Sequence, residues 1–149
     1  MPLSQIDYIR TLQNMPGLTP VESAIALAWL NLHWRDYDTV NFNVRLGEGV
    51  KLPPGSPDYM QKFVRASTAK RADMILTAGN VATIVEVKVR IGASALGQLL
   101  TYQTLLQQAN SDLAAVNLIA AGATIEPDIR AILFNHGISV EVFPSVAVP

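Results

Sequence analysis

The chain has 149 residues, half of them apolar and 15% charged, and contains no cysteine. This is a globular composition with enough length to bury a core, and it excludes disulfides, thiolate metal sites and a thiol nucleophile. Eleven Lys and Arg against twelve Asp and Glu leave a net charge of −1, so no overall basic field draws a polyanion.

The first residues, Met-Pro-Leu-Ser-Gln-Ile-Asp, lack the basic and apolar regions of a signal peptide. The longest apolar run, Ala24 to Leu30, has seven residues, against about 20 for a membrane span. The expectation is a single domain over 1–149, cytoplasmic, with no membrane partner. Thr19-Pro20 predicts a helix start, because Thr caps well and Pro suits the first helical position. The helix runs through Glu22, Ile25, Trp29 and Leu30 to about Trp34. Thr39 to Leu46 alternates Val40, Phe42, Val44 and Leu46 with polar residues, which predicts a strand with one buried face. Gly47 to about Ser67 opens with clustered Pro and Gly and reads as a long loop, with room for a short helix near Asp58 to Val64.

Arg71–Thr77 and Val81–Arg90 form a predicted hairpin turning at Ala78-Gly79. Gly92 to Asn110 is a helix with Ala95, Leu99, Tyr102, Leu106 and Ala109 on one stripe. Ala114 to Gly122 reads as a strand buried on both faces. Pro127 to Asn135 is a short helix stopped by Gly137, and Ile138 to Phe143 a last strand before a Pro-flanked, apolar tail that hints at docking. The order α-β-β-β-α-β-α-β makes an α/β protein, a mixed β-sheet flanked by helices.

Chemistry concentrates on the hairpin. With period two, Val81, Thr83, Val85, Val87 and Val89 share a core face of the second strand, and Ile84, Glu86, Lys88 and Arg90 share the other. A turn centred on Ala78-Gly79 pairs residues whose numbers sum to 157, so Asp73 opposes Ile84 and lies diagonally from Glu86, about 7–8 Å away. One cation between those heads would be ligated by both. His33 and His136 lie on separate elements and, without cysteine, make no zinc site. No phosphate-binding glycine loop, dinucleotide fingerprint or nucleophile elbow is present.

Asp73, twelve residues, then Glu86-Val87-Lys88 resembles the core of the PD-(D/E)xK nuclease superfamily, and Gln98-Leu-Leu-Thr-Tyr102 is similar to the Gln-x-x-x-Tyr motif of its RecB-like, junction-resolvase-like branch. The element order from Thr19 to Gly122 matches that superfamily's restriction-endonuclease-like core. The sequence departs from the pattern at Ala72, where a proline usually precedes the Asp; a literal Pro57-Asp58 lies in the loop without a strand pattern. The resemblance implies a Mg²⁺- or Mn²⁺-dependent deoxyribonuclease, endo- or exonucleolytic, with RNA not excluded. Asp73, Glu86 and the Val87 main-chain carbonyl would hold the metal, Lys88 would assist the attacking water, and Gln98 and Tyr102 would reach in from the helix. Glu22 matches a first-helix glutamate that binds metal in related nucleases, yet Thr19-Pro-Val-Glu22 is also a capping box.

Charge is unevenly distributed. Between Arg45 and Arg90 lie eight basic residues and four acids, and Tyr59 to Ala72 has four basic residues and no acid. Lys62, Arg65, Lys70, Arg71 and Arg90 are therefore candidate phosphate contacts, with the basic loop from Lys51 to Arg71, a homodimer or a protein partner supplying specificity. Small single-domain nucleases of this kind are often carried by phages and mobile elements, an expectation by analogy. The alternative from another class is a non-cleaving nucleic-acid-binding or assembly module on the same fold.

Overall fold

The computed structural model describes residues 15–49, 52–68 and 70–147; Lys51, the N-terminal stretch through Asn14 and the last two residues of the tail lie outside these. Helix α1 (Pro20–His33) starts where the sequence predicts. Thr19 Oγ1 accepts from the Glu22 N–H at 3.3 Å, and the Glu22 carboxylate accepts from the Thr19 N–H at 2.9 Å. That reciprocal box satisfies two amides that the first turn cannot pair internally. The helix buries Ile25, Ala26, Trp29 and Leu30 and gives way to a 3₁₀ turn at Trp34–Asp36.

Strand β1 (Thr39–Leu46) is followed, after a loop, by helix α2 (Asp58–Thr68). The predicted long loop is thus mostly helix in its second half. Strands β2 (Lys70–Ala78) and β3 (Val81–Ile91) form the hairpin, and α3 (Ala93–Ala109), β4 (Ala115–Ile125), α4 (Pro127–Asn135) and β5 (Ile138–Val142) complete the order. A 3₁₀ turn follows at Pro144–Ala147. Gly137 ends α4 at φ +72°, where a side chain would be strained. No helix among the described residues is long and apolar enough to cross a membrane.

The α/β class holds: five strands make one mixed sheet in the order β1-β2-β3-β4-β5, antiparallel through β3 and parallel from β3 to β5. The two parallel connections carry α3 and α4 to one face, as their common handedness requires. There Leu99, Tyr102, Ile129 and Leu133 pack on Ile84, Leu118 and Ile138. On the opposite face α1 packs Ile25, Trp29 and Leu30 against Met74, Leu76, Val85 and Val87. β3 is therefore sandwiched, with Ile84 and Val85 both fully buried.

Three expectations need correction. The hairpin turns at Gly79-Asn80, because Ala78 still pairs with Val81, and paired numbers sum to 159 rather than 157. The shift of two preserves which face each side chain takes. It moves Asp73 from a diagonal position to one directly across from Glu86. Second, β1 does not bury one face throughout: Val40 and Phe42 pack with the α1-side cluster, Val44 and Leu46 with the α3-side cluster. The switch falls at Asn43, which has φ +51°, a conformation that Asn tolerates better than most residues. Third, the valine face of β3 is not uniformly core. Val89 is 43% exposed, while Glu86 on the supposedly open face is only 3% exposed. Ile91, two residues beyond Val89, is fully buried in the α3-side cluster, and Ala109 at the far end of the α3 stripe is exposed.

Candidate active site

Both ladders around β2 skip Asp73. The β1–β2 register runs Phe42↔Met74 and then Val44↔Ala72, and the β2–β3 register ends at Met74↔Val85. In place of the next rung, the Asp73 carboxylate accepts the Val87 N–H at 2.8 Å. The sheet opens there, and the Asp73 side chain does the work of a backbone carbonyl. The N–H and C=O of one strand residue leave the chain on the same side, so the Val87 carbonyl also faces the opening.

Directly across, Glu86 projects toward α3. Its carboxyl group hydrogen-bonds that of Asp73, and it accepts the Asp73 backbone N–H. Two carboxylates cannot share such a contact while both are ionised, so one proton lies between them. Burial raises the pKa of both. The Asp73 charge raises Glu86 further, while the Val87 N–H holds Asp73 partly down. The pair therefore holds on to one proton that an isolated pair of carboxyl groups would release. Lys88 Nζ stands 3.9 Å from Glu86 Oε1.

Helix α3 closes this corner. Its Gln98 Oε1 is buried with no hydrogen-bond partner, and so is Glu86 Oε2. Two orphaned acceptors in one small region are costly, and a cation removes that cost. Tyr102 is buried in the α3-side core, and its hydroxyl pKa is raised, first by burial and then by the charges of Glu86 and Asp73. Lys70, Ser94, Gln98 and Tyr102 line a cleft of about 340 Å³, and Tyr102 feels the charges of the pair. The donor set of Asp73, Glu86, the Val87 carbonyl and Gln98 is all hard oxygen, which suits Mg²⁺ or Mn²⁺ and not a soft metal.

The residues predicted from sequence divide into two groups. Asp73, Glu86, Val87, Lys88, Gln98 and Tyr102 converge on the corner, with Lys70 at its mouth. Glu22 is engaged in its capping box; its charge still raises Asp73, the weakest of the causes acting there. Among the described residues no group of three His, Asp or Glu side chains gathers as a metal cluster. Arg90 lies 3.6 Å from Glu126 and Arg65 3.5 Å from Glu48, so each basic group already faces an acid. Arg71 reaches the Asn43 carbonyl at 3.5 Å, beside the opening, and Lys62 is exposed on α2.

Sequence reasoning missed two residues that shape the site. Asn43 releases β1 from Asp73, and no signal marks it beyond the tolerance of Asn for left-handed backbone. Gly122 pairs with Lys88 across β3–β4, and a Cβ there would fall 2.7 Å from the Lys88 carbonyl oxygen. An isolated Gly in an apolar strand is the expected mark of such a close approach. His33, isolated in the sequence, pairs with Glu141 of β5 at 2.7 Å.

A larger groove of about 800 Å³ runs between α4 and β5, but no acidic side chain lines it. No protein-family model, curated protein or solved structure matches the chain.

Proposed function

We propose that the protein is a Mg²⁺- or Mn²⁺-dependent nuclease that hydrolyses DNA phosphodiester bonds, built on a restriction-endonuclease-like core of the PD-(D/E)xK type. One observation carries the reading. The buried Glu86 carboxyl and the half-buried Asp73 carboxyl meet where the sheet opens, with Lys88 beside them and with Glu86 Oε2 and, on α3, Gln98 Oε1 lacking partners. A fold gains nothing in stability from that arrangement, whereas a divalent cation and a phosphate satisfy every group in it.

Asp73 and Glu86 would hold the cation, with the Val87 carbonyl and Gln98 Oε1 as further donors. When bound, such a cation polarises a phosphoryl oxygen and makes bound water more acidic. Asp73 is positioned for this by the Val87 N–H, which fixes one oxygen and leaves the other to turn outward. Glu86 would hold the cation in its ionised form, its proton passing to solvent. Lys88, on the same face of β3, offsets negative charge as it develops on the phosphoryl group and steers the attacking water. Lys70 at the mouth of the cleft draws the phosphate backbone in.

The test is cleavage of a mixed panel with Mg²⁺ and with Mn²⁺: single-stranded and duplex DNA, a flap, a four-way junction and an RNA strand. We expect metal-dependent cleavage that falls about 10²–10³-fold in Asp73→Asn and in Lys88→Ala. Absence of cleavage on every member, with nucleic-acid binding unchanged in both variants, overturns the reading in favour of a non-cleaving module.

A further inference from the structure

Helix α2 is amphipathic but mounted inside out. Gln61 donates to the Ser56 carbonyl at 3.1 Å and Arg65 approaches Glu48 at 3.5 Å, so its polar side is tied to the loop that leads into it, while its apolar side chains face solvent. Tyr59 and Phe63 are 74% and 73% exposed and Met60 is 45% exposed. None of its described side chains joins either core cluster. An ordinary surface helix turns such residues inward. Tyr59 and Phe63, four apart, stand side by side with Cβ atoms about 5–6 Å apart, and Lys62 is exposed between them in sequence.

We infer that this face of α2 is a stacking platform for unpaired bases, which makes single-stranded or locally melted DNA the preferred substrate; the inference rests on the nuclease reading above. Three features select this occupant. The first is charge: the stretch from Tyr59 to Ala72 carries four basic residues and no acid, and with Arg65 facing Glu48 the remaining Lys62, Lys70 and Arg71 still leave it basic, which suits a phosphate backbone and not an acidic or neutral protein face. The second is position. Lys70, at the mouth of the cleft, follows the last residue of α2 by two. Phe63 is then within about 15 Å of chain path from the cleft, inside the span of the roughly 4–16 nucleotides that one single-strand site covers. The third is size. Two aromatic rings and a methionine offer roughly 500 Å², short of the about 800 Å² per partner of a stable dimer. Aromatic faces flanked by cations hold bases without reading their identity, because every base has a π-face.

The test is binding by the full chain, carrying Asp73→Asn so that nothing is cut, measured by anisotropy with Mg²⁺. The probes are a labelled 20-nucleotide pyrimidine strand and a blunt duplex of the same length. We expect the double substitution Tyr59→Ala with Phe63→Ala to weaken single-strand binding about 10- to 100-fold, the loss of one or two stacked bases. Duplex binding should change less than threefold. The salt dependence of single-strand binding should keep its slope, since no charge has been removed. Replacing both residues by Trp should restore binding. Equal losses on strand and duplex, or no loss on the strand, overturn the inference. A fall in molar mass by light scattering in the double variant also overturns it and assigns the face to a second copy of the chain. If the parent chain binds neither probe and the unsubstituted protein cuts nothing, the nuclease reading itself has failed. Intact cleavage with an indifferent double variant removes the platform alone.

Discussion

The two ends of the β2–β3 hairpin are built on opposite terms. Near the turn, Ile75 pairs with Ile84 and Leu76 with Thr83 in an unbroken ladder, and both faces are filled with apolar side chains. Just past Met74 and Val85, Asp73 and Glu86 occupy the next positions in the register, the ladder stops, and buried oxygen atoms go unpaired. The first end gains free energy from every group it buries; the second loses it from most of them. Contrast within a single pair of strands is informative because twist, length and solvent are shared. What separates the ends is a requirement that folding does not impose.

Glu86→Gln breaks that contrast most strongly. The folded chain pushes the Glu86 pKa from 4.5 up to about 9, so without metal the native state holds a proton that the unfolded state releases. Stability then falls as pH rises through that window. With EDTA present, the wild-type melting temperature should drop by several degrees between pH 5 and pH 9, at about 2–4 °C per kcal/mol for a chain of this length. Glu86→Gln should flatten the profile and melt higher than wild type at pH 8, while cleavage falls at least about 100-fold. Mg²⁺ should raise the wild-type melting temperature increasingly with pH and leave the variant unmoved, because binding must release the shared proton. A variant that is both less stable and still active would mean that the acid serves the fold.

Gly122→Ala sharpens the comparison from the neighbouring strand. The added methyl would meet the Lys88 carbonyl at 2.7 Å and Ile91 Cγ1 at 2.6 Å, and backbone yields less readily than a side-chain end. Overpacking of this kind costs about 1–3 kcal/mol. Here it also moves the residue that carries the ammonium. We expect a lower melting temperature together with a single-turnover rate reduced about tenfold at a temperature where the variant stays folded. A stability loss with an unchanged rate would show that β3 keeps its place by other contacts.

How far the sequence discloses this corner depends on which interactions define each feature. Thr19-Pro20 and Pro127 with Gly137 announce their helices because capping is local. The alternation of β3 announces a strand and correctly groups Glu86 with Lys88. The hairpin register needs the turn, and Ala78-Gly79-Asn80 offers two ways to place it; only the closure of the ladder at Ala78↔Val81 chooses. Register in turn decides whether Asp73 meets Glu86 directly or diagonally, so the shared proton lies beyond what spacing reveals. The face switch at Asn43 is further still from view, since it arises from two helices competing for opposite sides of the sheet. α2 hides for a related reason. Its apolar residues have helical spacing, yet no core claims them.

The smallest expected effect separates the two roles that Glu22 can play. The capping bonds at Thr19 are formed, and Gln makes the same backward hydrogen bond as Glu. Thr19→Ala should therefore lower stability by about 0.5–2 kcal/mol, some 1–8 °C, with the cleavage rate unchanged once both proteins are folded. Glu22→Gln should keep the cap and cost only a few tenths of a kcal/mol through the lost charge at the helix N-terminus. If capping is its whole task, the Mg²⁺ midpoint for cleavage stays within about threefold of wild type. A rise of tenfold or more in that midpoint, with the melting temperature unmoved, would mean that the charge of Glu22 acts on the Asp73–Glu86 pair across the opening. The first helix would then belong to the carboxyl corner as well as to the core.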